Sequence, residues 1–252
     1  MSDSSNTNRL YTDLAWLWPM WGDHAIEYAR YSDHAARLIQ QYAQDPVRSL
    51  LDISCGGGKN AYNLKNRFLV TGLDLSPAMI SLAASLNPEC EFIEGDMRNF
   101  SLDRTFDAIL MDDGISHMSS RTELAAALGS AFRHLRAGGV MVVTPDVTTE
   151  TFCQNQTTST PGADRTKPKD VDIVFVENIY DPDTADEKYE ATMIYLIREN
   201  GRLRVETDRF TLGLFSLDTW TQILSNTGFV AHQEKFVDGE SEYISFACIK
   251  LR

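Results

Sequence analysis

The sequence predicts an α/β fold built on a doubly wound, mostly parallel sheet. An apolar run over residues 50–53 stops at Ser54, and three glycines follow before a helix-like stretch begins at Lys59. This order is typical of a strand, a tight turn that passes close to a ligand, and a helix. Two later apolar runs end in the acids Asp74 and Asp96. A carboxylate at the carboxyl edge of a parallel sheet can bind a ribose, so the pattern also predicts a nucleoside-containing cofactor.

The N-terminal region is expected to be helical. Apolar and aromatic side chains recur at helical spacing over residues 9–44, and Pro19 and Gly22 are predicted to divide this stretch into two helices. Residues 1–8 are polar and predict a frayed tail.

The central region alternates strands and helices, as a doubly wound sheet requires. After the glycine turn and a short helix, the predicted elements are strand 68–74, helix 79–86, strand 91–94, strand 106–111, a helix from Ser120 to about Arg136, and strand 140–143. Ser120 and Glu123 form a capping-box pattern. The fourth strand leads into residues 112–118, a position where such a sheet exposes reactive side chains.

The C-terminal region adds a predicted antiparallel cap. Residues 152–169, rich in Thr, Gln, Pro and charge, are interpreted as a mobile surface loop. Antiparallel strands are expected over 171–180, 189–198 and 203–214, followed by helix 217–226, which ends before Gly228, and closing strands 229–237 and 243–251.

Four segments result from this pattern. They are the N-terminal helices covering the cofactor site (1–46), the cofactor-binding core (47–150), the flexible loop and antiparallel substrate cap (151–214), and the C-terminal completion of the core (215–252).

Composition narrows the class of protein. With 252 residues, 43% of them hydrophobic, the chain can bury a large core. No apolar run approaches the ~20 residues of a membrane span, and the N-terminus lacks an apolar signal core. We therefore expect a soluble cytoplasmic protein without membrane partners. The net charge of −13 argues against nucleic acid as a partner and suits a cationic substrate.

Neither a metal site nor a disulfide framework is expected. The four cysteines show no C-x-x-C spacing. Cys55, in the glycine turn, fits a small residue packed under a ligand better than a nucleophile. Asp112 and Asp113 are too few ligands to predict magnesium.

The glycine turn disfavours a pyrophosphate ligand. A dinucleotide fingerprint needs glycine at three positions of G-x-G-x-x-G, and no register of residues 54–59 supplies them. A P-loop needs Ser or Thr after its Gly-Lys pair, but Asn60 follows Lys59. A dehydrogenase is therefore the less favoured interpretation.

The pattern Asp-x-Ser-x-Gly-x-Gly over residues 52–58 resembles the first motif of the class I S-adenosylmethionine (SAM) methyltransferases, usually acid-x-Gly-x-Gly-x-Gly. Ser54 stands at the first glycine. The resemblance implies a seven-stranded Rossmann-like methyltransferase sheet, SAM as cofactor and S-adenosylhomocysteine (SAH) as its product. It implies that Asp74 binds the ribose and Asp96 the adenine amino group. The implied cofactor-binding residues are Tyr11, Asp52, Ser54, Gly56, Gly58, Asp74, Leu75, Met79, Asp96, Met97 and Met111.

Residues 111–118, Met-Asp-Asp-Gly-Ile-Ser-His-Met, resemble a loop of the glycine/sarcosine N-methyltransferases and amino-sugar N,N-dimethyltransferases. In those families a His or Tyr stands near the acceptor at the position of His117, and an N-terminal Tyr often faces the methyl donor, as Tyr11 would. The resemblance implies that the catalytic residues are His117, Tyr11, Asp112 and Asp113.

The paired acids depart from those families, which carry a largely uncharged pair there. Asp112 and Asp113 favour a cationic or polyamine-like acceptor, but they would equally well cap the next helix or bind the SAM amino group. The N-P-P-Y-type loop of nucleic-acid and glutamine methyltransferases is absent, which argues against those acceptors.

The predicted function is transfer of one methyl group, or two in succession, from SAM to the amine of a small cationic metabolite. O-methyl transfer on the same scaffold and SAM binding without catalysis remain alternatives. The expected partner is the small-molecule amine, and the expected assembly is a monomer or homodimer.

Overall fold

The computed structural model describes residues 8–26, 28–162, 171–239 and 241–252. The tail predicted over 1–8, except Asn8, and the end of the loop predicted over 152–169 lie outside the described residues. The helices are the 3-10 helices Arg9–Tyr11, Ala15–Met20 and Asp113–His117 and the α-helices α1 Ala29–Tyr42, α2 Lys59–Leu64, α3 Pro77–Leu86, α4 Arg121–His134 and α5 Leu217–Thr227. The strands are β1 Ser49–Ile53, β2 Leu69–Asp74, β3 Glu91–Glu94, β4 Phe106–Met111, β5 Leu135–Val143, β6 Gln156–Pro161, β7 Val171–Tyr180, β8 Lys188–Glu199, β9 Arg202–Gly213, β10 Phe229–Asp238 and β11 Ser241–Lys250.

A seven-stranded sheet has the order β10-β11-β5-β4-β1-β2-β3. The strands from β5 to β3 pair in parallel, whereas β11 is antiparallel to both β5 and β10. The predicted doubly wound, mostly parallel α/β fold is confirmed.

The side chains of the central strands alternate between two helical layers. Leu50 belongs to a buried cluster with Ala35 and Ile39 of α1, whereas Leu51 belongs to a cluster with Leu124 of α4. Because strand side chains point to opposite faces in turn, a continuous apolar run fills both layers. The layers hold the carboxyl ends of β1, β2 and β4 at one edge of the sheet.

A second sheet, the cap, has the antiparallel order β6-β7-β8-β9. Its apolar face, which includes Phe175 and Tyr195, packs against Leu10 and Leu17 of the N-terminal 3-10 helices. The three predicted antiparallel strands are present as β7, β8 and β9.

Strand β6 corrects the interpretation of residues 152–169 as a loop. Its side chains are almost all exposed, and its sequence is Gln-Thr-Thr-Ser-Thr-Pro. A polar edge strand lacks the apolar alternation by which strands are recognised in sequence.

The first predicted N-terminal helix is also corrected, because this segment is 3-10 rather than α. Pro19 lies inside Ala15–Met20, and proline has no amide hydrogen to donate to an α-helical bond. The Leu17 amide instead donates to the Leu14 carbonyl at 2.9 Å. The second predicted helix is present as α1. None of the helices in the described ranges is both long and apolar enough to cross a membrane.

Candidate functional site

A cavity of about 640 Å³ lies at the carboxyl edge of the central strands. Its wall comes from the glycine turn, the ends of β2 and β3, the loop after β4, the N-terminal 3-10 helices and β9. The predicted site residues in this wall are Tyr11, Ser54, Gly56, Asp74, Leu75, Asp96, Met97, Asp112, Asp113 and His117. One cavity therefore brings together the four predicted catalytic residues and seven of the eleven predicted cofactor-binding residues.

The turn between β1 and α2 depends on small residues. Ser54 has a φ of 58°, in the left-handed region that glycine adopts most easily. A Cβ at Gly57 would lie 2.4 Å from Cδ1 of Trp18, so this indole rests on the turn only because residue 57 is glycine. The Trp18 indole N–H is buried and has no hydrogen-bond partner among the described residues.

Asp74, at the end of β2, holds the glycine turn in place. Its Oδ2 accepts from the Gly56 amide at 2.8 Å, and its Oδ1 accepts from the Ser76 amide at 2.9 Å. Burial raises the pKa of Asp74. A carboxylate offers about four acceptor positions, so the side chain can hold the turn and still accept from a diol in the cavity.

Asp96, after β3, forms an ion pair with Arg98, whose Nη2 lies 2.6 Å from its Oδ2. The hydrogen bonds from Arg98 lower the pKa of Asp96. Asp96 therefore faces the cavity as a carboxylate, next to the apolar side chain of Met97.

Asp52 is a buried acid without a partner. It is 1% exposed, and neither carboxylate oxygen has a hydrogen-bond partner among the described residues. Burial raises its pKa well above the usual value, and the nearby acids Asp112, Asp74 and Asp113 raise it further. An unpaired buried ionisable group costs free energy, so a cationic ligand group beside it would relieve this cost.

The Asp52→Asn variant is expected to stabilise the ligand-free protein at pH 8. A carboxyl whose pKa is raised by folding stabilises the fold fully below its unfolded pKa, and this contribution is lost as pH rises through the folded pKa. Removing the charge should therefore raise the free energy of unfolding by about 1–3 kcal/mol at pH 8 and by less at pH 5. Thermal unfolding of both proteins at the two pH values measures this, and an equal difference at both would contradict it.

Tyr11 and His117 form an uncharged pair in the cavity wall. The Tyr11 hydroxyl lies 3.1 Å from Nε2 of His117, and Phe210 of β9 contacts both rings. Burial lowers the pKa of His117 to about 4. Burial, followed by the charge of Asp113, raises the pKa of Tyr11. At neutral pH both side chains are therefore uncharged, and the pair can donate a hydrogen bond to a polar group in the cavity or accept one from it.

The adjacent acids Asp112 and Asp113 lie where β4 ends. Asp112 accepts a hydrogen bond from Nδ2 of Asn60 at 2.9 Å. Burial raises the pKa of both acids, the charge of Asp113 adds to the shift at Asp112, and Lys59 opposes the shift at Asp113. A raised pKa makes a carboxylate a stronger base, so either group in its ionised form can accept a proton from a ligand.

Residues 50–139 match a family model described as a methyltransferase domain. Over this range the chain is similar to methyltransferase domains. Among curated proteins, it is 38% identical over 121 residues to a dTDP-3-amino-3,6-dideoxy-α-D-glucopyranose N,N-dimethyltransferase of Streptomyces fradiae, covering 47% of each chain. It is 36% identical over 112 residues to a trans-aconitate 2-methyltransferase of an Enterobacter species, covering 43% of each chain. The chain thus spans about half the length of the curated relatives that it matches.

Two solved structures share the fold over almost the whole chain. Streptomyces venezuelae DesVI has a TM-score of 0.78 at 24% identity, over 94% of this chain and 95% of that one. The sugar N-methyltransferase KedS8 from a Streptoalloteichus species has a TM-score of 0.80 at 22% identity, over 100% of this chain and 96% of that one. Both structural alignments extend over the cap as well as over residues 50–139.

Some residues implied to bind the cofactor lie outside the wall of this cavity. Met79 and Met111 are fully buried, and Met111 belongs to the core cluster on the α4 side. A Cβ at Gly58 would lie 2.7 Å from Nδ2 of Asn87, so Gly58 allows α2 to approach the end of α3. Asp52 is also absent from the wall and lies buried nearby. The placement of Gly58, Met79 and Met111 indicates a packing role.

Sequence analysis missed several residues that line the cavity. Trp18, Lys59, Arg209 and Thr211 all line it. The aromatic residues clustered around Trp18 were a usable signal in the sequence. A short segment rich in tryptophan must bury these side chains against another part of the protein. Arg209 and Thr211 enter from the cap, and no local pattern indicates which strand meets the site.

Proposed function

We propose that the chain is a SAM-dependent N-methyltransferase that acts on a small amine. One observation carries the proposal: the Tyr11–His117 pair lines the same cavity as the glycine turn and Asp74. Donor-binding groups and acceptor-orienting groups within one cavity are what a direct transfer between two bound molecules needs.

The residues of the cavity suit SAM. Asp74 would accept hydrogen bonds from the ribose hydroxyls, and Asp96 would accept from the adenine amino group. Leu75 is 62% exposed although apolar, and with Met97 it offers a surface for the adenine ring. The unpartnered carboxylate of Asp52 suits the ammonium of the methionine part. SAM supplies an electrophilic methyl group on a sulfonium.

The protein would contribute chiefly orientation and proton handling. A neutral His117 can accept a hydrogen bond from the acceptor amine and turn its lone pair towards the methyl group. The amine is protonated near neutral pH and must lose this proton before it can attack. Asp113, whose pKa is raised, would accept it in its ionised form. Positioning of two reactants can account for about 7–11 kcal/mol of a barrier.

The choice of an amine rests on relatives. Two curated relatives are named as N,N-dimethyltransferases of dTDP-linked amino sugars, so transfer of one methyl group or two in succession is proposed here. The relative named as a trans-aconitate 2-methyltransferase acts on a carboxylic acid, which keeps O-methyl transfer as the second candidate.

A screen with isotopically labelled SAM tests the proposal. The protein is incubated with SAM bearing a trideuterated methyl group and with matched libraries of amines, phenols and carboxylic acids, and product masses are measured. Labelled products from amines are expected, including doubly labelled ones. Products from phenols or acids alone would favour O-methyl transfer, and SAM binding without any product would favour the non-catalytic alternative.

A further inference from the structure

Asp208, on β9 of the cap, is a buried acid that does not line the cavity. It is 1% exposed, and it lies on the same face of β9 as Phe210, two residues further along the strand. This face of the cap packs against the N-terminal 3-10 helices. An acid on an apolar sheet face costs desolvation free energy unless hydrogen bonds offset that cost. The partners of Asp208 therefore indicate what it does there.

Both carboxylate oxygens of Asp208 accept from backbone amides. Oδ1 accepts from the Arg209 amide at 2.8 Å, which fixes the carboxylate against its own strand. Oδ2 accepts from the Leu10 amide at 2.7 Å, in the first N-terminal 3-10 helix. Hydrogen bonds to an ionised carboxylate are short and stronger than those between neutral groups. Asp208 thus holds the chain at the residue directly before Tyr11.

Tyr11 is held on its other side by the donor end of the cavity. Its carbonyl accepts from Oγ of Ser76 at 2.5 Å, and the Ser76 amide donates to Asp74. The backbone of Tyr11 is therefore fixed between the cap and the loop after β2. From this backbone the phenol extends to within 3.1 Å of Nε2 of His117.

The strand that carries Asp208 also contacts the catalytic rings directly. The Phe210 ring centroid lies 5.5 Å from that of Tyr11 and 5.6 Å from that of His117. Because Asp208 and Phe210 share one face of β9, the strand fixes Tyr11 at two points, its incoming backbone and its ring. Neither contact involves a residue of the predicted catalytic loop.

Arg9 contacts β9 as well, but at the protein surface. Its Nη1 lies 2.9 Å from Oε2 of Glu206 and 3.2 Å from the Thr207 carbonyl. Both side chains of the ion pair are partly exposed, and such pairs contribute little to stability. The buried contact of Asp208 is therefore the stronger tie between the N-terminal segment and β9.

We propose that Asp208 is a positioning residue for the methyl transfer. It acts through Tyr11, by fixing the backbone from which the phenol reaches His117. This assignment rests on the proposed N-methyltransferase function, in which that pair orients the acceptor amine. A displacement of about 1 Å by a substitution away from the reacting atoms can slow a reaction about 100-fold.

A double-variant comparison separates positioning from general stability. Protein in excess over SAM bearing a trideuterated methyl group is mixed with the amine library, and the single-turnover rate is measured from the labelled products. Asp208→Ala should react about 100-fold more slowly than the unchanged protein, with nearly unchanged SAH affinity. In the Tyr11→Phe background the same substitution should slow the reaction by at most about threefold, because residues that act through one another are not additive.

Amide hydrogen exchange in the SAH complex tests the contact without an acceptor. The Leu10 amide should exchange at least about tenfold faster in Asp208→Ala, because a hydrogen bond to a charged group is lost. Asp208→Asn keeps one acceptor oxygen and should lie between Asp208→Ala and the unchanged protein in both measurements. It replaces Asp208→Ala in both backgrounds if that variant does not fold.

Glu206→Gln is the control, because it removes the exposed ion pair between the same two segments. Its rate should stay within about twofold of the original. Equal slowing by Asp208→Ala in both backgrounds, unchanged exchange of the Leu10 amide, or a loss of SAH affinity as large as the loss of rate would overturn the positioning role. Absence of any labelled product from the unchanged protein would instead overturn the proposed function, and with it the role of Asp208 in the reaction, whatever the exchange rate of Leu10.

Discussion

The Asp74→Ala variant should bind SAM about 100-fold more weakly than the unchanged protein. Asp74 accepts from the amides of Gly56 and Ser76, so its removal loosens the glycine turn and removes the proposed ribose acceptor together. Charge-assisted hydrogen bonds contribute roughly 1.5–3 kcal/mol each, and each 1.4 kcal/mol is a factor of ten in affinity. Calorimetric titration with SAM measures the change.

Glu94→Ala provides the control for Asp74. Glu94 pairs with Asp74 across the β2–β3 ladder, but its side chain is exposed at the end of β3. Its removal should leave SAM affinity within about twofold of the original value, because an exposed acid outside the cavity wall contributes little to binding. If Asp74→Ala bound SAM as tightly as Glu94→Ala does, the donor site would be misplaced.

The His117→Ala variant should turn over amine about 100-fold to 1,000-fold more slowly with nearly unchanged SAM affinity. A positioned acid–base or hydrogen-bonding side chain typically contributes 10²–10⁴-fold to a rate. The partner of Nε2 is the Tyr11 hydroxyl, so Tyr11 should lose its orientation in the variant as well. Single-turnover rates with SAM bound in advance separate this effect from donor binding.

His232→Ala is the corresponding control. His232 is on β10 and stacks on Tyr42, away from the residues that line the cavity. Its turnover should match that of the unchanged protein. Turnover of His117→Ala at the original rate would remove His117 from the mechanism.

The buried core was predictable from sequence because its signals are local. Strands β1, β2 and β4 are continuous apolar runs that end in an acid or a glycine turn, and the parallel sheet brings those ends to one edge. The positions of Asp74, Asp96 and His117 in the cavity wall follow from that register. Ser54 adopts the left-handed backbone conformation expected of the glycine that usually stands at this position of the motif. The turn therefore keeps its shape although the residue is serine.

The acceptor side was not predictable from sequence, because it is built by contacts between distant segments. Arg209 and Thr211 lie on β9, and only packing of the cap against the N-terminal 3-10 helices brings them into the cavity wall. Trp18 acquires its position through Gly57, which lies far from it in the chain. Packing between distant segments leaves no periodic pattern of apolar residues in the sequence, so it cannot be predicted from that pattern.

Calorimetric titration of the unchanged protein with SAM and, separately, with NAD tests the central claim most directly. The proposed donor site, with Asp74 and Asp96 in the cavity wall and Asp52 buried nearby, predicts saturable heat with SAM and SAH at about one molecule per chain. No heat is expected with NAD, since the glycine turn lacks the pattern for a pyrophosphate. Saturable heat with NAD and none with SAM would contradict the account.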